Sequence, residues 1–512
     1  MGDYGLVVES FSAPPGFAES GVTGPSLAEQ MRARIGAIRQ TANAHSVTVS
    51  DDVRSGEGEA LKVEVPETGV SLDEIDRYLH RHLGHARRLE GEVTEEEGGR
   101  IRIETHLSGS PPISVEGDRK DLDALLQRAA EQTFAHFDPV NWVIYLRAED
   151  RNDEALAAAD VNVAQAMDPI NLASALSLSA NSDGDRRRAL AKAREVTRIA
   201  PQLWSGWHEF ASASQQLGHD ADAVAYGRHV LRVKVGDQLR YHRQSIPYIQ
   251  RMARIRIDKL TGDYPGLLRD IDLQVPNNPD PYSATTLDRI EALAGEHDCA
   301  GLDRAAALGQ IGDQLSAEEL ATSRWRGAVC REDRAAAAQA AREAITAVEL
   351  RMAQTPPSWR GVAEVKLGSY YRPQLALAEA RAGNLAAAQA LIATTPLDCY
   401  LCVRVRGQIA ALTQNWPEAE RWFDLAIRQA PDLPFAYEER GRMLAARGDL
   451  TGAIVAYRAA HKAAPNWADP LEGWGEALAR QGHRQAARGK YDQALSLAPA
   501  WARLRALRDA AA

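Results

Sequence analysis

The sequence predicts a mostly α-helical protein, a superhelix of repeated helical hairpins preceded by a small α+β domain. Two observations carry this expectation. The C-terminal third repeats itself every 34 residues in five separate columns. Upstream, both the charge balance and the hydrophobic pattern change near residue 137. Residues 1–137 hold 24 Asp/Glu against 14 Lys/Arg, so the whole formal charge of −10 belongs to them. The remainder is neutral, and the change is read as a domain boundary.

Composition narrows the classes further. Hydrophobic residues make up 45% of the 512 and charged residues 25%, which suits a folded chain rather than a disordered one. The acidic balance argues against nucleic acid as a partner, because phosphate binding needs a basic face. Four Cys exclude a disulfide scaffold. No apolar run is long enough to span a bilayer, so direct membrane insertion is not expected. The opening MGDYGLVVESFSAPPG has neither a basic n-region nor an apolar h-region. As written the chain reads as cytoplasmic; a periplasmic or membrane-anchored protein is the alternative if an N-terminal segment has been removed.

The acidic domain, 1–137, reads β-α-β-α-β-β-α. Gly5–Phe11 is β-branched and stops at Pro-Pro, as a strand does. Ser26 and Glu29 form a capping-box pattern that opens a helix to Ala44. Ala60–Val65 alternates as a half-buried strand, and Ser71 with Glu74 opens a helix to Leu83. Arg88–Thr94 and Arg100–His106 flank a Glu-Gly turn and make a hairpin, followed by a short strand at Ile113–Val115. Asp118–His136 is a helix with an apolar face. The acidic loop Asp51–Glu59 and the acidic stretch Glu95–Glu97 of the hairpin read as solvated surface.

In 366–512 the five columns are Gly407, Gly441, Gly475; Ala419, Ala453, Ala487; Phe423, Tyr457, Tyr491; Ala426, Ala460, Ala494; and Pro431, Pro465, Pro499. Small residues suit the close crossing of two helices, the aromatic fills the gap beside them, and Pro ends one hairpin and starts the next. This pattern resembles the tetratricopeptide (TPR) repeat. Trp501–Ala511 reads as a capping helix. Weaker copies fill 138–365: Asn141–Met167 with Trp142 and Tyr145 facing in, the helices before Pro169 and Pro201, and Trp204–Val230. Asn384–Ala390 and Arg331–Met352 are helical. The Pro-, Gly- and Asn-rich stretch 262–284 is expected to interrupt the array as a bend or loop.

The segments FSAPPGFAESGVTGPSLAEQM, PETGVSLDEIDRYLHRHLGHARRLEGEV, PLDCYLCVRVRGQIA and NWADPLEGWGEAL also resemble a family of uncharacterised bacterial TPR proteins. That family's first domain is similar to the small domain of TolB-like and FlgO-like envelope proteins. The resemblance implies no catalytic activity.

Catalytic motifs point the same way. The chain has no GxxxxGK[ST], GxSxG, HExxH, GxGxxG after a strand, or EF-hand loop, so no enzyme and no cofactor are expected. Cys399 and Cys402 share a helix face at the start of a repeat. They are read as packed structural thiols, with a reversible redox pair or half a zinc site as alternatives. Cys299 and Cys330 are not expected to form a second pair. His80, His82 and His85 cluster at a helix end, but 80 and 82 point apart by about 200° on a helix, so no metal site is expected. The basic run Arg228–Lys259 reads as a solvated face, with docking of an anionic partner as the alternative.

TPR arrays bind partners on the concave face, through the second, fifth and ninth positions of each repeat's first-helix segment. Those are Leu401, Arg404, Gln408; Phe435, Glu438, Arg442; and Asp469, Glu472, Glu476. Glu472 and Glu476 have the wrong sign for the family's clamp on a C-terminal carboxylate. The strip suits another protein or peptide with an apolar anchor for Phe435 and basic residues for the two glutamates. The sequence does not set the oligomeric state.

Overall fold

The computed structural model describes residues 6–18, 21–45, 87–167, 169–232, 246–273, 285–311 and 315–511. They form two compact units, one ending at Met167 and one holding the rest.

The first unit is built on one sheet. Strands β1 (Leu6–Val8), β2 (Arg87–Glu96), β3 (Arg100–Leu107) and β4 (Ile113–Asp118) lie in that order. β1 runs parallel to β2 and the other pairs are antiparallel. Alternation puts Leu89, Val93, Ile101, Ile103 and Val115 on the inner face. Helix α1 (Pro15–Ala18) is one turn; α2 (Gly24–His45) and α3 (Leu122–Phe137) cover that face with Leu27, Met31, Ile35, Leu125, Leu126 and Phe134. Gly91 is required here, because a Cβ would lie 2.2 Å from the Phe11 ring.

Two expectations change. The cap of α2 is made by Thr23, whose Oγ1 accepts the Ser26 N–H while Ser26 Oγ accepts the Thr23 N–H; Glu29 instead pairs with Arg32. The box sits one turn earlier because Ser26 fills the third position itself. In the hairpin, Glu95 and Glu97 are exposed, and Glu95 and Glu96 form surface pairs with Arg119 and Arg102 at 2.7 and 2.6 Å. Finally, α4 (Pro139–Ala148) and α5 (Asn152–Gln165) belong to this unit. Trp142 and Tyr145 stack with ring centroids 5.4 Å apart and pack on the sheet core, not on the array. The predicted strand 60–65, the helix 71–83, the acidic loop 51–59 and His80, His82 and His85 lie outside the described residues.

The second unit is a chain of antiparallel helix pairs, here A then B: α6 (Pro169–Ser182) and α7 (Arg186–Ile199); α8 (Trp204–Leu217) and α9 (Asp220–Arg232); α10 (Ile246–Thr261) and α11 (Tyr264–Asp272); α12 (Thr285–Gly295) and α13 (Cys299–Ile311); α14 (Ala317–Cys330) and α15 (Arg334–Gln354). A short α16 (Arg360–Lys366), a π turn (Leu367–Tyr371) and α17 (Arg372–Arg381) make one long A helix, paired with α18 (Leu385–Ala393). The regular repeats follow: α19 (Tyr400–Leu412) and α20 (Trp416–Gln429); α21 (Phe435–Arg447) and α22 (Leu450–Ala463); α23 (Asp469–Arg480) and α24 (Arg484–Leu497); then the cap α25 (Ala502–Ala510).

The stretch expected to be a loop contains α11. Asp263 caps it by accepting the Gly266 N–H, and Pro265 at its first turn fits a helix start rather than a break.

The 34-residue columns do the expected packing. Phe423, Tyr457 and Tyr491 are buried against Gly407, Gly441 and Gly475 of their own hairpins. A Cβ on those glycines would sit 2.8, 2.7 and 2.4 Å from the rings. Tyr457 also closes on Gly473 of the next hairpin. The six column alanines are fully buried.

Overpacking sets the first prediction. Gly475→Ala should lower stability by about 1–3 kcal/mol. Gly489→Ala, in the open interior of α24 with no atom near the added methyl, should raise it by about 0.5–1 kcal/mol. Urea unfolding of the two variants reads both signs.

Candidate functional site

Positions two, five and nine of a repeat lie three and four residues apart and fall on one face of its first helix. In α19, α21 and α23 they form one strip, as expected, but the strip is already partnered. Arg404 forks onto Glu439, with Nε–Oε2 3.0 Å, and Gln408 Nε2 donates to Glu439 at 2.9 Å. The Arg404 guanidinium also lies 4.6 Å from the Phe435 ring centre, and Phe435 meets Trp467 edge-on at 4.9 Å. Arg442 pairs with Glu438 and, at 3.2 Å, with Asp469. Glu472 and Glu476 take Arg503 at 3.3 and 2.8 Å. Asp469 takes His297 at 3.0 Å. Glu439 was not among the predicted site residues, because it stands at the sixth position and reaches sideways to α19.

Burial dominates the electrostatics. It pushes Glu438 up to about 7 against the pull of Arg442. It pushes Glu472 up to about 8, with Glu476 adding to the rise and Arg442 and Arg503 opposing it. Asp469 is also buried, yet His297 and Arg442 hold its carboxyl below the ordinary value.

The partners of this strip come from far away in sequence, through a seam. Leu433, Trp467 and Trp501 form a sixth column spaced by 34, each two residues after a repeat-ending Pro. All three are buried, each in a turn between one hairpin and the next. Each turn meets upstream repeats. Leu433 shares a cluster with Ala221, Val224 and Leu260. Trp467 lies on Gly262, where a Cβ would be 3.1 Å from the indole, and Asn466 donates to Asp263 at 2.7 Å. Trp501 is stacked by the His297 ring at 3.5 Å and 8°. One turn earlier, the Tyr400 N–H donates to the Gly218 carbonyl at 2.8 Å. At the far end Glu332 reaches Arg503 at 3.6 Å.

Gly218, Gly262, His297 and Glu332 occupy equivalent places, the corner between helices A and B, and all four have φ between +57° and +78°. Glycine suits that left-handed turn and, at 218 and 262, leaves room for Cys399 and Trp467.

The cysteines correct the sequence reading. Cys399 and Cys402 form a disulfide, and so do Cys299 and Cys330; no cysteine is free. Repeat stacking brings the start of α13 to the end of α14, which the separation of 31 residues does not reveal. Neither a pair of packed thiols nor half a zinc site remains at 399 and 402, since their sulfurs are joined and fully buried. The basic run is also spent internally among its described residues. Arg254 pairs with Asp270, Arg256 donates to Gln215, Lys259 pairs with Asp288 and Glu291, and Arg228 reaches Asp432.

The second unit is an array of TPR-like helix pairs whose A-helix strip is filled from within. No family model matches the chain. Curated relatives are the serine O-succinyltransferases of Xanthomonas campestris pv. campestris strains B100 and 8004, each 26% identical over 209 residues. That match covers 37% of this chain, and the chain spans about half (52%) of the relatives' length. Among solved structures, the yeast Tom70 is similar at TM-score 0.30 and 14% identity over 74% of this chain and 89% of that one. The Cut9-Hcn1 hetero-tetramer of the APC/C is similar at 0.27 and 9% over 77% and 94%. Among the described residues no helix is long and apolar enough to cross a membrane.

The raised carboxyls set a pH prediction. In the folded chain Glu438 and Glu472 keep protons that the unfolded chain releases above its ordinary value of 4.5. Their contribution to stability is therefore complete at low pH and is lost as pH rises toward 8. His208, lowered by burial to about 3, acts in the opposite sense but has no further effect above about 6.5. Stability should fall between pH 6.5 and 8, and Glu472→Gln should flatten that slope. Thermal melts across this range check it.

Proposed function

We propose that the chain is a non-enzymatic scaffold that binds an extended segment of another protein along the A-helix strip of α19, α21 and α23. The observation behind this reading is the origin of the counter-charges. Asp469, Glu472 and Glu476 are served by His297 and Arg503, which lie outside the strip's helices. A partner offering an apolar group to Phe435 and basic side chains to Glu472 and Glu476 would supply the same chemistry and compete with the chain's own groups. Arg404 and Gln408 are engaged by Glu439, which speaks against a clamp for a terminal carboxylate. The internal pairing of the basic run speaks against an anionic partner there.

A second reading, a bacterial envelope-associated assembly or regulatory factor, is favoured by the pairing of all four cysteines. Disulfides persist in oxidising compartments rather than in the cytosol. On that reading the acidic first unit is the TolB/FlgO-like domain and binds a ligand or complex subunit. A thiol-exchange role for Cys399 and Cys402 is the weakest reading, since both are fully buried.

An array of synthetic peptides carrying an aromatic residue followed by Lys or Arg tests the scaffold. Reversal of Glu472 and Glu476 to Lys should weaken the best binder at least about tenfold, a change of about 1.4 kcal/mol. Arg503→Ala should strengthen it. Binding that ignores the charge reversal would refute the proposed strip.

A further inference from the structure

Both disulfides border the seam, but they differ in access. Cys399 and Cys402 are fully buried beneath the Gly218 corner and the π turn, where Ser369 O lies 3.4 Å from Cys399 Sγ. Cys299 and Cys330 are partly exposed. Cys299 is the first residue of α13, two beyond His297; Cys330 is the last of α14, two before Glu332. The Cys299–Cys330 bond therefore ties together the two corners that hold the end of the strip. One corner places His297 on Trp501 and Asp469. The other places Glu332 on Arg503, which in turn serves Glu472 and Glu476.

We propose that the Cys299–Cys330 disulfide is a redox clamp on the seam, closed when oxidised and released by a dithiol reductant, while Cys399–Cys402 stays intact as a permanent staple. In the release step one thiolate of the reductant attacks a sulfur of the 299–330 bridge. The S–S bond breaks, a mixed disulfide forms, and the displaced sulfur leaves as a thiolate that takes up a proton. The second thiolate of the reductant then attacks the mixed disulfide and frees the other cysteine as a thiol. Two electrons and two protons pass to the protein, and the reductant ends as a disulfide. Exchange goes where the attacking thiolate can reach, which selects 299–330 over 399–402. Without the bond the two corners move independently, and Asp469, Trp501 and Arg503 lose the partners those corners supply. The clamp regulates the strip read above as a binding face, so its purpose rests on that reading; its test does not, because no partner is present.

The full-length chain is incubated in graded dithiothreitol under native conditions. Pulsed alkylation with mass spectrometry follows each cysteine, and hydrogen exchange follows the amides of 469–472 and 501–505. Cys299 and Cys330 should become alkylated at reductant concentrations at least about tenfold below those that open Cys399 and Cys402. Exchange in both segments should rise about tenfold in step with them. Cys299→Ser/Cys330→Ser should show the fast exchange with no reductant and no further response to it. Should that variant not fold, the wild-type titration still decides, and His297→Ala should speed exchange at 469–472 with the bridge intact. Unchanged exchange after reduction of 299–330, or opening of 399–402 first, would overturn the proposal.

Discussion

Beyond its helix pairs, the second unit depends on one kind of contact: a late inter-repeat turn seated on an early hairpin corner. A repeat array by itself makes only nearest-neighbour contacts, and its stability is close to a sum over repeats. Here Leu433, Trp467 and Trp501 add contacts to residues about two hundred positions upstream, such as Asn466 with Asp263, 203 apart. That turns a nearly one-dimensional array into a closed unit. It also raises the sequence separation of native contacts, which slows folding relative to an open array.

The closed seam decides what the A-helix strip can do. Its charges are paired with each other and with groups delivered by the seam, so few are left to face solvent unpaired. Buried or half-buried ion pairs of this kind add little net stability, because desolvation cancels much of their attraction. Their effect is to fix which corner meets which turn. For the same reason they can be exchanged at small net cost for equivalent groups on a partner. Apolar contacts such as Trp467 on Gly262 supply the adhesion, and the charges supply the register.

The sequence revealed what is local. Every one of the five columns reports packing within a single 34-residue hairpin or its neighbour, so the period alone exposed the repeats, their helices and the face that carries the strip. The seam was hidden for the opposite reason. Its sixth column, Leu433, Trp467 and Trp501, has the same period, but its partners Ala221, Gly262 and His297 share no residue type and no spacing. The Cys299–Cys330 pair was missed because only the stacking of hairpins brings it together. Composition misled at 262–273, where Pro and Gly signalled a loop but Asp263 and Pro265 start a helix. Charge placed a boundary at 137, whereas α4 and α5 belong to the first unit, α4 packing on its core through Trp142, Ile144 and Tyr145.

The contact between His297 and Asp469, 172 residues apart, is the most direct measure of whether the strip is filled from within. A double-mutant cycle with His297→Ala, Asp469→Ala and the pair, read by urea unfolding of the full chain, isolates it. A closed seam predicts a coupling energy of about 1 kcal/mol or more between the two positions. Effects that add to within about 0.3–0.5 kcal/mol would contradict it.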